Sequence, residues 1–243
     1  MTTVHYVLGA TGGIGSALCR RLRESGADLA IAGRDAERLG ALADELGATA
    51  LPLADGSMQS ISASVAAAAE HFGHLDGATC CSGSLLLKPA HRTSDDEWRD
   101  TMAANVDAAF AVVRGATQAM LRTGGSIVLV SSAAARIGLA NHEAIAAAKA
   151  GVIGLTLAAA ASSAPRKIRV NAVAPGLVRT PLTEGLLGAP ASEKASVAMH
   201  AIGRLGEPDD VAKAIAFLLD AEQGWVTGQV LGVDGGLGTV RGR

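Results

Sequence analysis

Short, nearly continuous apolar runs recur along the chain: Val4 to Gly9, Leu29 to Ala32, Ala50 to Leu53, Gly77 to Cys81, Ser126 to Ser131, Arg169 to Ala174 and Gln229 to Val233. Runs of this length without polar alternation suit strands buried on both faces, as in a parallel sheet. Most are separated by alanine-rich stretches of about 15 to 35 residues with apolar positions at helical spacing, long enough for crossover helices. The alternation predicts an α/β fold, a doubly wound seven-stranded parallel sheet with helices on both faces, in one domain over residues 1–243.

Within that frame, helices are predicted at Ser16 to Ser25, His142 to Ala164 and Pro208 to Leu219. Asn141 reads as the N-cap of the second, which puts the Glu143 carboxylate in the first turn, where it complements the helix dipole. The stretch Pro181 to Gly203, after the sixth strand, reads as one long irregular insertion. Ligands of open α/β sheets sit beyond the carboxyl ends of the strands, so this segment is a candidate lid. No proline-rich, serine-rich or charged linker divides the chain.

Composition narrows the function classes. The 243 residues are 49% hydrophobic, enough for a sizeable core, and 21 basic against 23 acidic residues give a formal net charge of -2. Nothing in that balance calls for nucleic acid or an anionic membrane as partner. The start of the chain lacks the features of a secretory signal, and the longest apolar run, Ala150 to Ala164, is shorter than a bilayer span. Three cysteines, Cys19, Cys80 and Cys81, have no metal-type spacing and fit a reducing compartment, so a cytoplasmic protein without a metal site is expected.

The first strand runs into Gly9, Thr11, Gly13, Ile14 and Gly15 and then into a helix. Glycines at such a turn let backbone approach a pyrophosphate, and the helix N-terminus offers free N–H groups and positive dipole, which makes this a Rossmann-type dinucleotide site. An acid at the end of the second strand would take the adenosine ribose hydroxyls. Gly33 stands there instead and Arg34 follows, a guanidinium suited to a 2′-phosphate, which favours NADP(H).

Taken together the motifs resemble the short-chain dehydrogenase/reductase family over essentially the whole chain. The resemblance rests on the glycine loop, Asp55 after the third strand, Asn105-Val, Ser131-Ser132, Lys149-Ala-Gly, the run from Arg169 to Gly176 with Thr180, Gly203 to Pro208, and Thr227 to Gly236. It implies that Asp55 contacts the adenine, that Gly83 lies beside the cofactor, and that Pro175, Gly176, Val178 and Thr180 hold the nicotinamide end. It also implies that Lys149 binds the nicotinamide ribose, Ser132 steadies the substrate oxygen, and Asn105 positions a water in a proton relay.

Three departures stand out. Leu8 replaces the threonine usual before the first glycine, and Cys80-Cys81-Ser82-Gly83 replaces Asn-Asn-Ala-Gly, keeping the glycine but losing bracing amides. The third changes the chemistry: Ile145 stands four residues before Lys149, and thirteen after Ser132, where the family carries its reactive tyrosine. The chain's single tyrosine, Tyr6, lies in the first strand. In the family that phenol, its pKa lowered by the lysine ammonium, protonates the oxygen of a carbonyl receiving hydride. Isoleucine has no proton to give.

On an uninterrupted helix His142, three positions before Ile145, would fall on nearly the same side and could stand in as acid. A C=N substrate or an activated C=C would need no protein acid, and Leu85, Leu86, Leu87, Ile137 and Leu139 would make a dry, apolar pocket for it. The expectation is therefore an NADP(H)-dependent oxidoreductase of altered mechanism acting on a small apolar molecule. A cofactor-binding scaffold or sensor, and a lyase, isomerase or cyclase, are the alternatives. The resemblance further implies a homo-oligomer, a tetramer or dimer, built on the alanine-rich helices.

Overall fold

The computed structural model describes residues 2–240. Seven parallel strands form one sheet in the order β3-β2-β1-β4-β5-β6-β7. They are β1 Val4–Leu8, β2 Asp28–Gly33, β3 Thr49–Pro52, β4 Gly77–Cys80, β5 Gly125–Val130, β6 Ile168–Pro175 and β7 Val230–Val233. Each expected strand is found, with ends displaced by at most one residue. The helices are α1 Gly13–Glu24, α2 Ala36–Leu46, α3 Met58–Phe72, α4 Asp95–Met102, α5 Ala108–Met120, α6 Glu143–Ser163, α7 Glu184–Leu187, α8 Pro190–Met199 and α9 Pro208–Leu219.

The pleat of β1 shows how sequence assigns the two faces. Val4, Tyr6 and Leu8 join one core with Ile61 and Val65 of α3, Val112 and Met120 of α5 and Val152 of α6. Val7 joins the other with Leu18 and Leu22 of α1, Leu39 of α2 and Val211 and Ile215 of α9. Strand order reverses between β1 and β4, so their carboxyl ends open the crevice in which such sheets bind ligands.

Local chemistry sets the helix ends. The Asp35 carboxylate caps α2 by accepting from the Arg38 N–H at 3.0 Å, and Gly47 ends it at φ 60°. Ser94 and Glu97 form a capping box on α4. Between α4 and α5 the chain stays helical but widens into a π turn over Ala103–Asp107, carrying the buried Asn105.

Four sequence expectations need correction. The first helix begins at Gly13 rather than Ser16, because the glycine loop itself makes the first turn. Pro181 to Gly203 is largely helical, holding α7 and α8; its small and polar residues lack the apolar stripe that marks a helix in sequence. His142, not Asn141, is the N-cap of α6, because Asn141 takes the left-handed conformation at φ 63° and turns the chain one residue early. The helix running Glu143–Arg166 is also long and apolar enough, by length and composition, to cross a bilayer, which the shorter run Ala150 to Ala164 did not suggest. Core helices pass the same test, and α6 buries Ala148, Val152, Ala159 and Ala160 in this protein's interior.

Candidate active site

At the carboxyl end of β1 the glycine loop folds back on its neighbours. Gly9 lies at φ 76°, and a Cβ there would fall 2.6 Å from the Ser82 backbone nitrogen beyond β4. A Cβ on Gly15 would fall 2.2 Å from the Gly9 carbonyl oxygen, so only glycine permits the first turn of α1 to sit on the loop. Gly13 presses on the Thr180 side chain, where a Cβ would come within 2.7 Å of Cγ2. Thr180 is itself fixed, its N–H donating to Thr183 Oγ1 at 3.1 Å, and Val178 is buried and bridged to Gly206. Ile14 packs against the core below the loop.

Arg34 follows β2, is exposed, and makes no hydrogen bond or ion pair within the described residues. One turn on, Arg38 donates from Nη2 to the Thr11 carbonyl oxygen at 3.1 Å, which leans a second guanidinium over the glycine loop. Sequence reasoning missed Arg38, whose place in the first turn of α2, just past the end of β2, could have marked it as a second cation near the loop. The Ser57 hydroxyl beside Asp55 and the Ser57 N–H, which donates to Asp55 Oδ1 at 2.9 Å, hold its carboxyl below the usual range.

Behind Gly83 the inner end of the cleft comes together. A Cβ on Gly83 would lie 2.8 Å from Asn105 Oδ1 and 3.3 Å from Lys149 Nζ, so the β4 end, the π turn and α6 meet around one glycine. Asn105 donates from Nδ2 to the Thr101 carbonyl at 2.8 Å and to Ser84 Oγ at 3.0 Å. Lys149 is buried, its ammonium donates to the Val130 carbonyl at 2.9 Å, and burial lowers its pKa. Ser131 Oγ donates to the Lys149 carbonyl at 2.8 Å, tying β5 to α6, a contact the sequence did not reveal. Ser132 beside it accepts from the Ala134 N–H at 3.1 Å.

Ile145 is 3% exposed, one helical turn before Lys149. No phenol substitutes for it in this chain: Tyr6 is fully buried in β1, bonded to Ser64 Oγ at 2.7 Å, and burial raises its pKa. His142 lies outside the helix, so the spacing argument that would align it with Ile145 does not apply. Its Nδ1 donates to the Ala140 carbonyl at 2.8 Å, which leaves Nε2 as the free ring nitrogen. Burial pushes the Cys80 thiol up to about 11 and the Cys81 thiol well above its ordinary value, the mark of packing residues rather than nucleophiles.

The overall fold matches that of a short-chain type dehydrogenase/reductase from Mycobacterium ulcerans with a TM-score of 0.93 at 30% identity, covering 99% of this chain and 91% of that one. A family model described as enoyl-(acyl carrier protein) reductase matches residues 9–238. The chain belongs to the short-chain dehydrogenase/reductase family. This short-chain dehydrogenase/reductase is 38% identical over 240 residues to cis-4-hydroxycyclohexanecarboxylate dehydrogenase of Sinomonas cyclohexanicum, covering 96% of this chain and 95% of that one. It is 34% identical over 239 residues to the 3-oxoacyl-[acyl-carrier-protein] reductase FabG of Vibrio cholerae, covering 96% of each. These relatives are oxidoreductases, and members of the family use nicotinamide cofactors.

A groove of about 1300 Å³ at the opposite, amino-terminal end of the strands is a poorer candidate. Three of its cations are engaged: Arg21 and Lys213 pair with Asp209, and Arg169 binds the last carbonyls of α9.

Proposed function

We propose that this short-chain dehydrogenase/reductase is an NADP(H)-dependent oxidoreductase of altered mechanism, which reduces a small apolar substrate at C=N or at an activated C=C rather than at a ketone. The observation that carries this is the buried hydrocarbon of Ile145 one turn from Lys149, with Asn105 and Gly83 grouped around the Lys149 ammonium.

The chain fits a dinucleotide. Gly9, Gly13 and Gly15 let the loop pack tightly on Ser82, Thr180 and the first turn of α1, which sets the N-terminus of α1, with its free N–H groups, at the carboxyl end of β1. Arg34 and Arg38 offer two guanidinium groups to a 2′-phosphate. Asp55 would take the adenine, Pro175, Gly176, Val178 and Thr180 the nicotinamide end, and Lys149 the ribose. When bound, the reduced nicotinamide supplies hydride.

The rest is done by residues of this chain. Ser132 orients the reacting group, and the Lys149 ammonium, shielded from water and aimed at Val130, adds positive potential without a phenol to act through. An iminium already carries positive charge and needs no acid. A conjugated alkene needs its proton only after hydride has arrived, and solvent can supply it. A ketone lacks both escapes, and losing a general acid costs about 10²–10⁴ in rate. The matching family model bears the name of a reductase acting on an enoyl group, which agrees with alkene reduction. Exposed Trp98, Phe110 and Leu157 on α4, α5 and α6, with Phe217 and Leu231 on α9 and β7, would be covered in a homo-oligomer.

The test is a titration with NADPH and NADH, followed by cofactor oxidation with ketones, cyclic imines and activated alkenes. Tight NADPH binding with turnover of imines or alkenes supports the proposal. Tight binding with no turnover of any class would replace it with a cofactor-binding scaffold.

A further inference from the structure

The helical segment Pro181 to Gly203 is fastened to the loop after β6 by an imidazole. His200, the C-cap of α8, is 3% exposed. Its Nδ1 faces the Ser196 carbonyl oxygen at 2.7 Å, and its Nε2 faces the Leu177 backbone N–H at 3.1 Å. A carbonyl can only accept and an N–H can only donate, so this ring is a neutral tautomer with its proton on Nδ1 and its lone pair spent on Leu177. The ring rests on Gly176, where a Cβ would fall 2.6 Å from Nε2, and on Gly235, where one would fall 3.5 Å from His200 Cβ. Gly176 therefore acts as the seat of the imidazole, while Gly235 is held close by Ile202, whose Cγ2 a Cβ there would meet at 2.8 Å. The Ile202 N–H donates to the Gly235 carbonyl at 3.0 Å, which fastens the same corner to the end of β7. A second tether, the ion pair of Arg179 with Glu193, joins the other end of α8 to the same loop.

We propose that His200 is a positioning residue: it sets the backbone of Gly176 and Leu177 and couples the seating of α8 to the affinity of the adjacent cofactor site. The coupling to affinity rests on the reading that Pro175 to Thr180 holds the nicotinamide end; the clasp itself does not. Because the Leu177 N–H is satisfied by a side chain 23 residues away, moving α8 strands that donor, and moving the loop strands Nε2. Closure of the segment over the crevice and order in the loop are then one event.

Two near-isosteric variants separate the clasp from simple packing. His200→Gln keeps an acceptor where Nε2 stands, and His200→Asn keeps only a group where Nδ1 stands. Hydrogen exchange at the Leu177 amide in the unliganded protein, and the NADPH dissociation constant by fluorescence, are measured for both and for His200→Leu. Expected are at least tenfold faster exchange at Leu177 and at least tenfold weaker NADPH binding in His200→Asn and His200→Leu, with both restored to within about threefold of wild type in His200→Gln. Leu177 exchange unchanged in His200→Asn, or equal losses in Gln and Asn, would overturn the proposal. If the wild-type protein binds no NADPH, the cofactor reading fails, while the exchange data still decide the clasp.

Discussion

Ile145 and Lys149 lie one turn apart on α6, the first a buried hydrocarbon, the second an ammonium anchored 2.9 Å from the Val130 carbonyl. A phenol in place of the alkyl group would stand beside a cation that lowers its pKa. Ile145→Tyr is therefore expected to raise ketone reduction by about 10²–10⁴ in kcat/KM, the usual worth of a general acid, while imine reduction changes far less. Steady-state kinetics on matched ketone and imine substrates checks this. Equal gains on both would point to better packing instead.

Arg34 makes no bond within the described residues, whereas Arg38 is partly spent on the Thr11 carbonyl. A charge-assisted bond to a phosphate contributes about 1.5–3 kcal/mol, so Arg34→Ala should weaken NADPH binding by about ten- to a hundredfold. NADH, without the 2′-phosphate, should be nearly unaffected. Calorimetric titration with both cofactors measures the difference, and parallel losses would remove Arg34 from phosphate recognition.

The start of α1 sits so closely on Gly9 that Gly15→Ala would drive a methyl into the Gly9 carbonyl. Overpacking against backbone costs about 1–3 kcal/mol, which corresponds to a melting temperature lower by roughly 2–10 °C for a chain of this size. A thermal scan would show it, with weaker cofactor binding as the companion effect.

His5 offers a pH signature away from the crevice. It is 6% exposed at the start of β1, its Nδ1 has no partner among the described residues, and burial, partly offset by Asp76, lowers its pKa to about 4. Between about pH 6.5 and 4 the unfolded chain holds the proton that the folded one refuses, so stability falls as pH drops through that window and levels off below it. The slope from this one group is about 1.4 kcal/mol per pH unit. Urea unfolding at a series of pH values should show it in the wild type and show a shallower slope in His5→Val; identical slopes would mean that His5 titrates normally.

The strands were legible because a parallel sheet covered on both faces demands nearly continuous short apolar runs, as in Ile127 to Leu129 or, with Asn171 the one polar residue, Val170 to Ala174. The glycine loop was legible because its spacing answers to backbone sterics, as Gly9 and Gly15 show. Three things were hidden. The left-handed Asn141 moves the start of α6 by one residue and takes His142 off the helical wheel. The π turn at Asn105 has no counterpart in periodicity. The pairing of His200 with Leu177 spans 23 residues and depends on Gly176, whose reason appears only in three dimensions.

Hydride delivery without a protein acid is tested most directly in a single turnover with NADPH deuterated at C4, mixed in separate syringes with a cyclic imine, an activated alkene and a ketone. The expected result is deuterium on carbon in the imine or alkene product and none from the ketone on the same timescale. Deuterium transferred to the ketone as fast by the wild type as by Ile145→Tyr, or retained on the cofactor with every substrate despite tight binding, would contradict the account.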